Sequence, residues 1–240
     1  MEAGDGSAVV AVDAPLVIRN RTGIRDSERA MNQEFRRFHA GAPRRQSRPP
    51  FCPKGSVVQS EALRPGFGHG AEMNAREKGR FQIEVHPHAA TVNLFNLPRI
   101  VKYKRGRRAS RARELRRLRR LMLSQLPLLH PALSLHLSAI PHTGKLKPVE
   151  DQIDAVLCSY IVAHWWFWGI RRNRVYGCGE TGYVVVPERK SSILTPGERL
   201  GSLQGTTGRT SLDSYQAVDR RDMQSLPTAA FTFEVFRPGL

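Results

Sequence analysis

The sequence predicts an α/β fold, and three stretches carry the prediction. Ser7 to Val12 is a short apolar run followed by Asp13 and Pro15, the pattern of a buried parallel strand that presents a carboxylate at its C-terminal edge. In Arg80 to His86, Phe81, Ile83 and Val85 alternate with Gln82 and Glu84 until Pro87 intervenes, which reads as a half-buried strand with Glu84 facing away from its apolar neighbours. From Lys147 to Pro187, an amphipathic helix of about twenty residues gives way to a Gly-marked turn and a buried strand.

That helix follows from its spacing. Ile153, Leu157, Tyr160, Ile161, His164 and Trp168 recur at i, i+3, i+4 and i+7. Pro148 at the start costs no intrahelical hydrogen bond, and Glu150 and Asp151 complement the dipole of the first turn. Asp151 and Asp154, three apart, are expected on one side, with Ala155 and Cys158 leaving room for a divalent cation. The run Trp165, Trp166, Phe167, Trp168 reads as core or interface packing rather than a base-stacking platform, and Cys158 as a small buried hydrophobe. Gly177, Gly179 and Gly182 mark the turn, and Tyr183 to Pro187 is the strand.

Elsewhere, Asp26 to Phe38 reads as a helix capped by Asp26 or Ser27, with Ala30, Met31, Phe35 and Phe38 on its apolar side. Residues 41–72 are rich in Pro and Gly and read as an irregular insertion, with a hint of a helical turn at Ser60 to Leu63. Thr91 to Leu97 fits a short helix or a strand. Leu126 to Leu137, interrupted by Pro127 and Pro131, fits a short helix and loop. Beyond residue 190 the composition is polar and too poor in apolar surface to offset chain ordering, so residues 1–190 read as one domain and 191–240 as a tail of low order, apart from an alternating run at Phe231 to Phe236.

Charge is the dominant global property. The 240 residues carry 38 Lys and Arg against 21 Asp and Glu, a net +17. Such an excess fits a polyanionic partner or an Arg-rich composition without one. It is concentrated in Arg99 to Arg120, where twelve basic residues face the single acid Glu114. Ala112, Leu115, Leu118 and Met122 recur there at helical spacing, so residues 99–122 read as a basic amphipathic helix that docks its apolar stripe and turns arginines outward, as a phosphate grip or a solvated face. Cys52, Cys158 and Cys178 are widely spaced, which supports neither a disulfide framework nor a zinc ribbon and suits a reducing, cytoplasmic compartment. No signal peptide, membrane span or Gly-rich phosphate loop is expected. His86 and His88 read as loop histidines or as an H-x-H metal pair, and Asp13 as a turn residue before Pro15 or a ligand at a sheet edge.

Four stretches, VVAVDAPL at 9–16, IEVHPHA at 83–89, VKYKRGRR at 101–108, and VEDQIDAVLCSYIVAHWW with GETGYVVVP within 149–187, together resemble the family catalogued as domain of unknown function 429, described as predicted nucleases of the RNase H fold. The resemblance implies an RNase H-like mixed sheet flanked by helices, with acids gathered at one end. It places Asp13, Glu84 and Asp154 as metal ligands and Asp151 as an assisting acid. Carboxylates gathered so closely require cations, and two Mg²⁺ or Mn²⁺ ions would activate water against a phosphodiester of DNA or RNA. Lys102, Lys104, Arg105, Arg107, Arg108 and Arg111 would hold the nucleic-acid backbone. Family members usually carry an earlier strand and hairpin with an Asp in a VDG-like pattern. This sequence has no counterpart, so the expectation is a sheet without the usual first strand, and either an active nuclease or an inactive nucleic-acid-binding module.

Overall fold

The computed structural model describes residues 6–44, 65–189 and 235–236. The hint of a turn at Ser60 to Leu63, Cys52 and most of the tail lie outside them. Strand β1 spans Ala8–Val12, β2 Gly68–His69, β3 Arg80–Glu84, β4 Asn173–Cys178, β5 Gly182–Pro187 and β6 Val235–Phe236. Among the described residues four α-helices accompany them: α1 Asp26–Phe35, α2 Pro87–Leu94, α3 Arg108–Gln125 and α4 Lys147–Trp168. A four-stranded sheet runs in the order β2, β3, β1, β6 with every pair parallel, and β4 and β5 form a separate antiparallel hairpin. A parallel bridge between Val85 and Val185 brings the hairpin alongside the end of β3. The observed class is therefore mixed α/β, as the sequence predicts.

β1 is buried at Val10, Ala11 and Val12 because it lies between β3 and β6 and under α4. The same central position corrects the reading of β3 as half-buried: Gln82 and Glu84 are as covered as Ile83, since a strand in the middle of a parallel sheet has no solvent face. α4 supplies the main core with Ile153, Leu157, Ile161 and Trp165. By length and composition it could cross a membrane, but this surface is spent on the sheet. The aromatic run packs as expected. Trp165 is fully buried and donates its indole N–H to Gly70 O at 2.8 Å, while Trp166 and Trp168 donate to Glu77 O and His130 O.

A second cluster joins Met31, Phe35 and Phe38 to Tyr176, Val184 and Val186, so α1 covers the hairpin. Its start differs from expectation. The N-cap is Arg25, whose backbone N–H is taken by Glu28 at 3.2 Å, and neither Asp26 nor Ser27 caps the helix. Its end also differs: the α-helix stops at Phe35, a 3-10 turn carries the chain through Phe38, and Ala30 faces solvent. Thr91 to Leu94 belongs to α2, so this stretch is helix rather than strand. The basic helix begins at Arg108 rather than Arg99: residues 100–104 are not helical, with Val101 and Tyr103 buried and Lys102 exposed. Its stripe is the one the spacing predicts: Ala112, Leu115, Leu118 and Met122 are buried. Within 41–72, Gly68–His69 adds an edge strand where only irregular chain is expected. Of the alternating run at the tail, Val235–Phe236 pairs with β1.

Candidate functional site

At the carboxyl ends of β1 and β3 lies a cleft of about 740 Å³, the edge at which open parallel sheets bind ligands. Asp13 enters it directly after β1, and Tyr103, Lys104 and Arg105 line it from the segment between α2 and α3. Asp154, fully buried, reaches the same place from α4. Lys104 joins the two acids: its Nζ is 3.2 Å from Asp154 Oδ2 and 3.9 Å from Asp13 Oδ2. The other Asp154 oxygen accepts a hydrogen bond from the Tyr103 hydroxyl, and burial, then the Asp154 charge and this bond, hold the phenol well above its ordinary pKa. His88, on the first turn of α2, has its ring 5.7 Å from that of Tyr103. Burial pushes its pKa down to about 4 and Lys104 pushes the same way, against Asp154, so the imidazole is neutral at pH 7.

Two of the predicted acids, Asp13 and Asp154, thus share Lys104; Glu84 lines the same cleft but is engaged by Arg25, and Asp151 lies apart. Val12 pairs with Glu84, so Asp13 stands one step further along the ladder, and successive residues of a strand leave opposite faces. Glu84 accordingly meets the N-terminus of α1. Arg25 Nη2 and Nη1 donate to its two oxygens at 2.5 and 2.9 Å, and the Leu16 N–H donates at 2.9 Å. Burial pushes the Glu84 carboxyl up and the Arg25 hydrogen bond pulls it back. Burial also works against the Arg25 charge, but Glu84 and Glu28 outweigh it and raise its pKa. Asp151 corrects the one-side expectation for α4: three positions apart is a rotation of about 60°, enough to move it out of the buried stripe, where it pairs with Lys147 at 2.6 Å.

Divalent metal is a poor fit to this donor set. An ammonium stands between Asp13 and Asp154, Tyr103 occupies the second Asp154 oxygen, and both Glu84 oxygens are engaged by Arg25. Among the described residues no group of three or more His, Cys, Asp or Glu side chains is disposed to hold an ion, and His86 and His88 make no exception.

The basic residues also divide. Lys102, Lys104 and Arg105 line the cleft, and Arg107 is exposed beside it. Arg108 and Arg111 have work within the fold. Arg108 donates to the carbonyls of Pro141, His142 and Gly144, while Arg111 spans Tyr103 O at 3.1 Å and Glu150 at 2.6 Å. Arg113, Arg116, Arg117 and Arg120 leave α3 on the solvent side. Arg116 and Arg120 border a second groove, of about 550 Å³, against residues 139–142.

Sequence reasoning overlooks Tyr103 and Arg25. Each had a signal: Tyr103 is the apolar member of a V-K-Y-K alternation, and Arg25 is a cation placed just before a helix start, where the dipole disfavours it unless an acid answers.

Fold and site define a parallel α/β protein with an acid–lysine–acid cluster at the carboxyl edge of its sheet and a basic helix leading away from it. Residues 1–176 match the family model described as protein of unknown function (DUF429), and the chain belongs to that family. No curated protein and no solved structure matches it.

Proposed function

We propose that this protein is an RNase H-like nucleic-acid-binding module that holds a phosphate backbone across the cleft mouth and along the outward face of α3. The observation that carries the reading is the division of α3: its four buried residues are all apolar, and the solvent side presents Arg113, Arg116, Arg117 and Arg120, while Lys102 and Arg105 line the cleft on the segment that precedes the helix. A spaced row of guanidinium groups matches a polyanion better than a single anionic ligand, and each phosphate it neutralises releases condensed counter-ions. The parallel pairing of β1 with β3 supports the RNase H-like part of the reading, and the reduced thiols of Cys158 and Cys178 suit a cytoplasmic setting. Fluorescence anisotropy with labelled single-stranded DNA and RNA tests it. Affinity should fall steeply with salt, and Lys102→Gln with Arg105→Gln should weaken it by about thirtyfold, at about 1 kcal/mol for each cation–phosphate pair removed, without changing the melting temperature. Salt-insensitive binding, or none, ends the proposal.

The second reading, a divalent-metal-dependent nuclease using Mg²⁺ or Mn²⁺ at Asp13, Glu84 and Asp154, is favoured by the meeting of Asp13 with Asp154 at the ligand-binding edge of the sheet. It requires Lys104 to withdraw and Arg25 to release Glu84. Under it, Asp154→Asn abolishes metal-dependent cleavage and leaves affinity for nucleic acid intact, and cleavage that survives this substitution rules it out.

A further inference from the structure

We infer that Lys104 is a tethered counter-ion that holds the space between Asp13 and Asp154 and keeps divalent cations out, so that the cleft operates without a resident metal ion. Two carboxylates arrive here from separate elements, one at the end of β1 and one inside the body of α4. The Asp154 side chain has no exposure and that of Asp13 has 21%. Such a pair repels itself unless a cation sits between its members, and leaving a buried carboxylate without one is among the costlier defects a fold can carry. Lys104 answers both charges with one Nζ.

The lysine is aimed there by its surroundings. Tyr103, the residue before it, is held at both ends: its hydroxyl donates to Asp154 and its carbonyl accepts from Arg111 Nε. Lys104 Nζ lies 5.7 Å from the centre of the Tyr103 ring, an attraction of the cation–π kind that adds to the two ionic contacts. The ammonium is part of the chain, so its effective concentration at the acid pair reaches the millimolar range or above, on the order of what a free divalent ion would have to compete with. An ion bridging the two Oδ2 atoms would stand within a few ångströms of Nζ and be repelled by it. Expelling Lys104 forfeits both ionic interactions, and the Tyr103 hydroxyl still holds the other oxygen of Asp154. The inference goes beyond nucleic-acid binding and decides against the second reading of the site.

The test is a Mn²⁺ titration of the full chain followed by electron paramagnetic resonance, without nucleic acid, so that failure of the binding proposal and failure of this one register separately. The wild type should leave the free-Mn²⁺ signal unchanged. Lys104→Met should take up one Mn²⁺ at least about tenfold more tightly, as expected for removing a like charge from the site, and Lys104→Arg, which keeps the charge, should behave as the wild type. Wild-type uptake that matches Lys104→Met overturns the inference, and so does a Lys104→Met chain of native circular dichroism that gains none. Should Lys104→Met not fold, the wild type against Asp13→Asn decides: equal Mn²⁺ uptake supports the tethered lysine, and lower uptake by Asp13→Asn refutes it.

Discussion

His88 and His164 are both held neutral by burial, with pKa values lowered from 6.5 to about 4. Between those values the unfolded chain binds protons that the native chain refuses, so stability rises with pH through this window and falls on acidification from pH 6.5 to 4. Each site can contribute up to about 3 kcal/mol of that loss. Urea midpoints measured from pH 7 to 4 should show the slope, and His88→Gln should flatten part of it without lowering stability at pH 7 by the same amount. Arg25 is the residue most exposed to substitution. Its side chain is 2% accessible and it neutralises Glu84 and Glu28 together. Arg25→Gln leaves two neighbouring buried carboxylates, and a loss of about 3–5 kcal/mol is expected; urea denaturation that shifts by less than a third of this would mean the clasp is not holding α1 to the sheet.

At the level of elements, the proposed binding role implies that α3 separates stability from recognition, because its two sides differ in burial and charge. Leu115→Ala opens a cavity in the main core, where Leu115 has no exposure, and should cost about 2–5 kcal/mol. Arg113→Ala and Arg117→Ala, on solvent-exposed side chains, should move the denaturation midpoint little and act on binding instead. In the hairpin, Gly182 has φ +107, and a Cβ there would lie 2.6 Å from Val17 O and 3.1 Å from Arg25 Nη1. Gly182→Ala should therefore destabilise by about 2 kcal/mol or more and loosen the Arg25 clasp with it, detectable as faster hydrogen exchange at the start of α1.

For the whole molecule, the net +17 bears on association more than on folding. If α3 grips a backbone, replacing Arg113, Arg116, Arg117 and Arg120 by Gln should reduce the slope of log affinity against log salt. On single strands the reduction is about 0.7 for each phosphate that is no longer neutralised. An unchanged slope with reduced affinity would assign these arginines to some other task.

The elements were legible where a local period is enforced by burial. The strands ending at Asp13 and Glu84, the stripe of α3 and the length of α4 all follow from which residues must leave water, and that is written in spacing. Short strands such as β2, and β4 with its mixed Asn173 to Cys178, carry too few residues or too irregular an alternation to be read this way. The meeting of Asp13 with Asp154, some 140 positions apart, came only through family resemblance; no local pattern encodes it. Spacing and composition specify the class of the fold and the apolar stripe of α3, and the family resemblance added the candidate acids. Which acids share a cation is a matter of packing between distant elements. Val12, not Asp13, is the register partner of Glu84, and each acid is answered by its own cation, Lys104 for Asp13 and Arg25 for Glu84, supplied by a segment whose position depends on packing rather than on its own residues.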